Sequence, residues 1–470
     1  MKFNIKTIAI SLVVASPIFS CTVSKKYTRA SLNMPATFRQ EVAVTGDTII
    51  LPWRTFFKDP QLTGLIEKAL DKNNEVAIAM MNMEQLNLAY KQAKLGLLPV
   101  ADLNVGATRN YLSKNSLNGS LTDQILGTNY MDDFSATLRL SWEADIWEKA
   151  KMQKSAARTD FFAQKENLSA LKTGIIVQVA QAYYNLLTLD EQLRIAKNNI
   201  QLSDSTLSMM QLQFNSGLIS SLAIEQAEAQ KKTAELLVPL ALQQIAVQEN
   251  ALSILCGSYP GSIERTGNFA NLVSDEAFSS GVPAQLLSRR PDVKAAEYAV
   301  MSANSKTGLA KAAMYPTFSL TPSIGANSFK FNTWFNLPGS LVKNISANIA
   351  QPVFQKRALR TSYEVAAIEQ EKMVAQFKQR VLTAVAEVSD AMAKSKYADE
   401  RLELVNQQSA SLRKGTRDAI LLYQSGKATY LEVITAQNNS LQNELETIAI
   451  RREKLNAATD LYRALGGGIN

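Results

Sequence analysis

Histidine is absent from all 470 residues of the chain. That absence excludes Ser-His-Asp and Cys-His nucleophile systems, His-ligated zinc and the commonest general base. No Walker-type phosphate loop and no Rossmann glycine run is present, and Gly466-Gly467-Gly468 follows a helical pattern instead of opening one. An enzyme is therefore the weakest reading, and no metal or other bound cofactor is expected. Cysteine is nearly absent: Cys21 and Cys256 are the two. If Cys21 is used as argued below, Cys256 has no partner; an intrachain disulfide is then ruled out, and Cys256 reads as a small buried residue near a helix end. After Cys21 no apolar run reaches about 18 residues, which excludes a membrane-spanning helix. A closed β-barrel is the one other structure that crosses a bilayer with every backbone polar group satisfied. The formal net charge of +8 comes from interspersed charges with no long basic run. That is a solvated surface, with no motif for nucleic acid.

What the chain does contain is a repeat. Ser216-Gly217-Leu218-Ile219-Ser220-Ser221-Leu222 recurs as Ser425-Gly426-Lys427-Ala428-Thr429-Tyr430-Leu431, 209 residues later. The same offset pairs Val179 with Val388, Ala182 with Ala391 and Gly257 with Gly466, and an offset of 217 pairs Val76 with Val293 and Pro99 with Pro316. Each half has one order: a helix, two alternating stretches, a very long helix, a Ser-Gly turn and a returning helix. One structural unit is used twice. The expected divisions are a signal segment at 1–20, a tether and equatorial segment at 21–59, a first repeat at 60–257, a linker at 258–288, a second repeat at 289–466 and a tail at 467–470.

The first twenty residues carry Lys2 and Lys6, then an apolar run from Thr7 to Ala15, then Pro17-Ile18-Phe19-Ser20-Cys21. This is a secretory signal, too short for a stable span. Ile18 and Ser20 before Cys21 resemble a bacterial lipobox, with Phe19 larger than the usual residue at its position. Cys21 is the expected lipid attachment point.

Phe134, Ala136, Leu138, Leu140, Trp142, Ala144 and Ile146 are apolar at every second position, with Ser135, Thr137, Arg139, Ser141, Glu143 and Asp145 between them. Shorter alternations cover 101–108, 317–326 and 344–349. Each is near the length of a tilted membrane strand, with a polar face suited to a water-filled lumen. Four strands cannot close a barrel, for which about eight is the practical minimum, so closure calls for several copies of the chain. Pro322 inside the third alternation predicts a bulge or a gap. The stretches 109–133 and 327–340 read as loops on one side of the sheet.

Between Trp147 and Asn215 there is no proline and one glycine, Gly174; between Val353 and Lys414 there is neither. Each stretch predicts a helix of roughly 90–100 Å. Returning helices are expected at 222–255 and 431–465, packed as antiparallel hairpins, with Pro239 bending the first. Tyr183, Tyr184, Met209 and Met210 read as core. Met80, Met81 and Met83 also have the spacing of a helix core, not of a metal site. Gly257 to Ser288, with Thr22 to Lys58, predicts an irregular belt.

These residues resemble the TolC-type outer-membrane efflux ducts, in the OprM-like (NodT) lipoprotein branch. The resemblance rests on Leu286-Leu287-Ser288-Arg289-Arg290-Pro291-Asp292-Val293, on Trp142 to Trp147, on Pro352-Val353-Phe354, on the two Ser-Gly turns and on the start at Cys21, Tyr27 and Arg29. It implies a mainly α homotrimer in which each chain gives four strands to a twelve-stranded membrane β-barrel and long helices to a periplasmic tunnel. It implies a lipid-anchored protein of the bacterial outer membrane. The implied partners are a periplasmic adaptor and an inner-membrane pump of the resistance-nodulation-division type, with drugs or toxic small molecules as cargo.

The resemblance also places a constriction after the second turn. Leu431 matches an apolar constriction and Glu432 a family carboxylate; Thr435 replaces a common aspartate. Ala223 stands where an aspartate is common at the first turn, with Glu225 the nearest acid. Ser216, Gly217, Ser220, Ser425, Gly426 and Thr429 are the expected docking tips for the adaptor. Glu148 and Gln355-Lys356 depart from the glycine or Asp-Gly often found at the strand-to-helix junction. A duct for type I protein secretion shares the fold, and a coiled-coil or adhesin protein with no pore is the rival of a different class.

Overall fold

A computed structural model of the chain describes residues 27–29, 52–265 and 290–468. The signal segment, Cys21 and most of the expected belt and linker lie outside the described residues. In chain order the elements are α1 (Trp53–Phe56), α2 (Pro60–Lys72), α3 (Asn74–Lys94), β1 (Val100–Tyr111), α4 (Leu117–Leu126), β2 (Tyr130–Glu143), α5 (Lys149–Asn215), α6 (Ser221–Leu255), α7 (Pro291–Ala312), β3 (Thr317–Ser328), a 3₁₀ turn (Phe331–Thr333), β4 (Leu341–Ala350), α8 (Ala358–Gln424) and α9 (Tyr430–Ala464). The repeat is visible in these bounds. α5 and α8 each have 67 residues, and α6 and α9 each have 35.

Two compact units share these elements, each drawing on both repeats. The first holds 85–162 and 298–375 and is built on one antiparallel sheet in the order β1-β2-β3-β4. Trp147 and Tyr315, from different repeats, stack at 4.8 Å, and the Trp147 indole N–H donates to the Pro316 carbonyl at 2.7 Å. β2 stops at Glu143, short of the alternation that runs to Ile146. Asp145 turns its carboxylate to the first turn of α5, accepting from Ala150 N–H at 2.9 Å and Lys151 N–H at 3.1 Å, which claims that backbone for the helix. Pro322 leaves a gap with no bulge. Its pairing to Ile345 is kept, whereas the β2–β3 ladder passes from Arg139↔Ser323 to Trp142↔Leu320 in unchanged register. The stretch 109–133 is only partly loop: β1 runs to Tyr111, β2 starts at Tyr130, and α4 lies between, with its N-cap at Ser116 and its C-cap at Gly127.

The second unit holds 52–84, 163–265, 290–297 and 376–468 of the described residues. Its core forms where Ile176, Val179, Ala180, Tyr183 and Leu187 of α5, at helical spacing, meet Trp53, Leu62, Ile66, Leu252 and Tyr462. Tyr183 keeps its hydroxyl satisfied inside that core by donating to Asp59 at 2.8 Å, and burial followed by the Asp59 carboxylate pushes its pKa above the usual tyrosine range. Cys256 is a buried free thiol at the end of α6, as its sequence position predicts. Gly257 follows at φ 63°, and a Cβ there would sit 2.2 Å from the Lys72 carbonyl oxygen. Pro239 lies inside a continuous α6. α8 starts at Ala358, later than Val353, and passes through Gly415 to Gln424.

Arg290, in the motif before α7, is 3% exposed and ties three elements together. It donates to Asp292 at 2.7 Å, to Glu387 of α8 at 2.5 Å and to the Ala464 carbonyl ending α9 at 3.0 Å. Arg380 adds a second contact to Asp292 at 2.8 Å.

Candidate functional site

The sheet has one apolar and one polar face, and the register assigns every residue to a side. Leu103, Val105 and Ala107 of β1 pair with Leu138, Ala136 and Phe134 of β2. Leu138 and Ala136 pair in turn with Ile324 and Ala326 of β3, and those with Lys343 and Leu341 of β4. Leu140, Trp142, Leu320, Ile345, Ala347 and Ile349 complete this face. Arg109 and Asp132 lie on it too, joined at 2.6 Å, next to the Tyr111–Tyr130 ring pair. Tyrosines thus mark one end of the apolar band and Trp142 the other. Between Asp132 and Trp142 runs about the ten residues that a tilted strand needs to cross a hydrocarbon layer of about 25 Å. The opposite face carries Asp102, Asn104 and Thr108, then Ser135, Thr137 and Arg139, then Thr321, Ser323, Asn344 and Asn348.

β1 is exposed along its whole length, and the residues after β3 cover the apolar face only around Phe134 and Ala326. β1 and β4 are both edges, each with one ladder side unpaired. Long flat edges of this kind normally call for a partner strand. Among the described residues the chain holds one open four-stranded sheet.

The second candidate region is the pair of Ser-Gly turns in the helical unit. Gly217 and Gly426 both stand at φ 73°. Leu218 N–H reaches back to Gln213 O at 2.9 Å and Gly217 N–H to Phe214 O at 2.8 Å. Lys427 and Gly426 repeat those bonds to Leu422 and Tyr423 at 2.8 and 3.1 Å. Both long helices therefore end in a Schellman turn, which explains why the glycines recur. Ser216 and Ser425 spend their hydroxyls on Leu212 and Leu422 carbonyls, each at 2.9 Å.

The helices that return from the two turns start differently. Ser220 is the N-cap of α6 with no side-chain capping bond. Thr429 is the N-cap of α9, and Glu432 closes a capping box on it. The Glu432 carboxylate accepts Thr429 N–H at 2.5 Å and the Thr429 hydroxyl at 2.9 Å, and these bonds hold its pKa below the usual carboxylate range. Leu431, Thr435 and Glu225 are exposed on the single chain, whereas Ala223, the repeat partner of Glu432, is 1% exposed. Of the expected constriction residues, the structure places Leu431, Glu432 and Thr435 together on the first turns of α9 and Glu225 on the first turn or so of α6.

The two turns share one core of Leu207, Met210, Ala223, Ala227, Tyr423 and Val433. Polar contacts join the hairpins across it. The Tyr430 hydroxyl donates to Gln226, Gln230 donates to Asn438, and the Gln437 amide donates to the Thr206 hydroxyl at 2.8 Å. These pairs are more than 200 residues apart in the chain, so no local pattern announces them.

The outer membrane efflux protein family model matches residues 65–258 and 282–467. "Cation efflux system protein CusC" of Escherichia coli O6:H1 is 27% identical over 459 residues, which is 97% of each chain. A crystal structure of CusC superposes with a TM-score of 0.86 at 27% identity, covering 95% of this chain and all of that one. "Probable outer membrane lipoprotein SilC" of Salmonella typhimurium is 27% identical over 88% of both chains. "Toluene efflux pump outer membrane protein TtgF" of Pseudomonas putida is 28% identical over 89% of this chain and 85% of its own.

Proposed function

This chain belongs to the outer membrane efflux protein family, whose members are channels and not enzymes, and from that premise we propose that it is the outer-membrane duct of a tripartite efflux assembly. Three copies close a twelve-stranded barrel, with β1 of one copy paired to β4 of the next. The apolar face meets lipid and the polar face lines water. The observation that carries this reading is the sheet itself: two largely exposed faces of opposite character and two unpaired edges. Long helices from the three copies form the periplasmic tunnel, and Cys21 carries the lipid anchor.

The Ser-Gly turns serve as the docking tips for a periplasmic adaptor, through Ser216, Gly217, Ser220, Ser425, Gly426 and Thr429. Leu431, Glu432, Thr435 and Glu225 border the narrowest passage, where three copies of Glu432 favour cations over anions. An inner-membrane pump of the resistance-nodulation-division type selects the cargo. The names of the relatives refer to cations and to toluene, which fits a duct that does not itself discriminate.

Deleting the gene tests the proposal. Raised accumulation of a fluorescent efflux dye, with the set of secreted proteins unchanged, is expected. Normal dye export with loss of a secreted protein would favour a type I secretion duct instead.

A further inference from the structure

The connection between β3 and β4 is unusually apolar for a turn at a sheet's end, carrying Phe329, Phe331, Trp334, Phe335 and Leu337. It folds down onto the sheet. Phe331 and Trp334 pack on Phe134 with ring centroids 5.5 and 5.8 Å away, and Phe134 belongs to the apolar face. The Trp334 ring is buried and its indole N–H donates to the Ala326 carbonyl at 3.3 Å. Trp334 thus pins the connection, and Phe335 stacks on it at 4.7 Å. Phe329, Phe331, Phe335 and Leu337 are nevertheless 50–68% exposed. A turn meant for water has no use for that much uncovered aromatic surface.

One cation accompanies the cluster. Lys330 lies over the Phe329 ring at 5.2 Å. A lysine at the membrane interface costs little, because its ammonium reaches phosphate. Aromatic rings beside lysines match the headgroup layer of a bilayer.

We propose that the β3–β4 connection is a lipid-seated anchor: its aromatic cluster inserts into the outer leaflet as a continuation of the sheet's apolar face, and Lys330 contacts lipid phosphate. The inference rests on the reading of that face as the membrane face. Its occupant is lipid because the cluster is continuous with that face through Phe134.

Spin labels in the full chain test it, in a Cys21→Ala, Cys256→Ala background reconstituted in phosphatidylethanolamine–phosphatidylglycerol vesicles. Labels are placed at Phe335→Cys, at Leu103→Cys on the apolar face and at Asn344→Cys on the polar face. Collision rates with oxygen, which partitions into lipid, and with a water-soluble nickel chelate are compared. The oxygen-to-nickel ratio at Phe335→Cys is expected to be several-fold above that at Asn344→Cys and below that at Leu103→Cys, which lies deeper. A lipid-like Leu103→Cys with a nickel-accessible Phe335→Cys overturns the anchor and leaves the membrane face standing. A Phe335→Cys label shielded from both reagents means that protein covers the cluster, and also overturns it. Nickel access at Leu103→Cys would remove the membrane face and the anchor together.

Discussion

Glu148 and Arg357 occupy the same point of the two repeats, each one residue before a 67-residue helix, and both adopt the left-handed backbone at φ 56° and 67°. Lys356 joins them at φ 48°. Glycine is the residue that adopts this conformation at least cost, and the backbone keeps a glycine-like shape without it. An L-residue in that region costs roughly 1–2 kcal/mol. Glu148→Gly and Arg357→Gly are each expected to stabilise the protein by about 1 kcal/mol, less what glycine adds to the entropy of the unfolded chain. Valine at either site should destabilise it. Thermal denaturation in detergent, with glycine and valine variants side by side, checks the sign.

Glu432 caps α9 most strongly while ionised. Its folded pKa is lowered by the Thr429 N–H and then the Thr429 hydroxyl. The stabilisation is therefore present above the unfolded carboxylate value and is lost as pH falls through the folded one. Amide exchange, corrected for intrinsic rates, should show the first turn of α9 loosening across that acidic window. The first turn of α6 has Ala223 at the matching position and should not change. Glu432→Ala should loosen the α9 turn at neutral pH and abolish the pH dependence.

Arg290 is the buried tie among Asp292, Glu387 and the end of α9. Burial works against its charge, but its hydrogen bonds to Asp292 and Glu387 prevail and raise its pKa; the Asp292 pKa is lowered despite burial, chiefly by Arg290. Arg290→Ala leaves two shielded carboxylates short of a partner and should cost about 3–5 kcal/mol. The loss should shrink in acid, as Asp292 takes up a proton. Denaturation midpoints at neutral and acidic pH give the comparison.

Cys21→Ala should abolish incorporation of labelled fatty acid and leave the protein able to insert and assemble. Unchanged labelling would refute the lipid anchor.

The long helices and both turns were legible because their signals are local: hardly any proline or glycine for dozens of residues, then a glycine, which takes φ 73° without steric cost. The strands were legible from period-two alternation, although Asp145 ends β2 earlier than its pattern suggests. α4 was missed because Asn, Ser, Thr and Gly dominate its surroundings; Ser116 and Gly127, its caps, were the available clue. Gly415 hid the end of α8, since an isolated glycine is tolerated within a long packed helix. The Tyr430–Gln226 and Gln437–Thr206 contacts were out of reach because the fold, and not spacing, brings those residues together.

The central claim is that the polar face of the sheet lines a water-filled pore and the apolar face does not. Planar-bilayer recording tests it on neighbouring β2 residues, Thr137→Cys on the polar face and Leu138→Cys on the apolar face, each with and without Glu432→Ala to relieve the constriction. A bulky charged, water-soluble thiol reagent should lower single-channel conductance at Thr137→Cys and leave Leu138→Cys unchanged. No channel in any variant, or equal effects at the two positions, would contradict it.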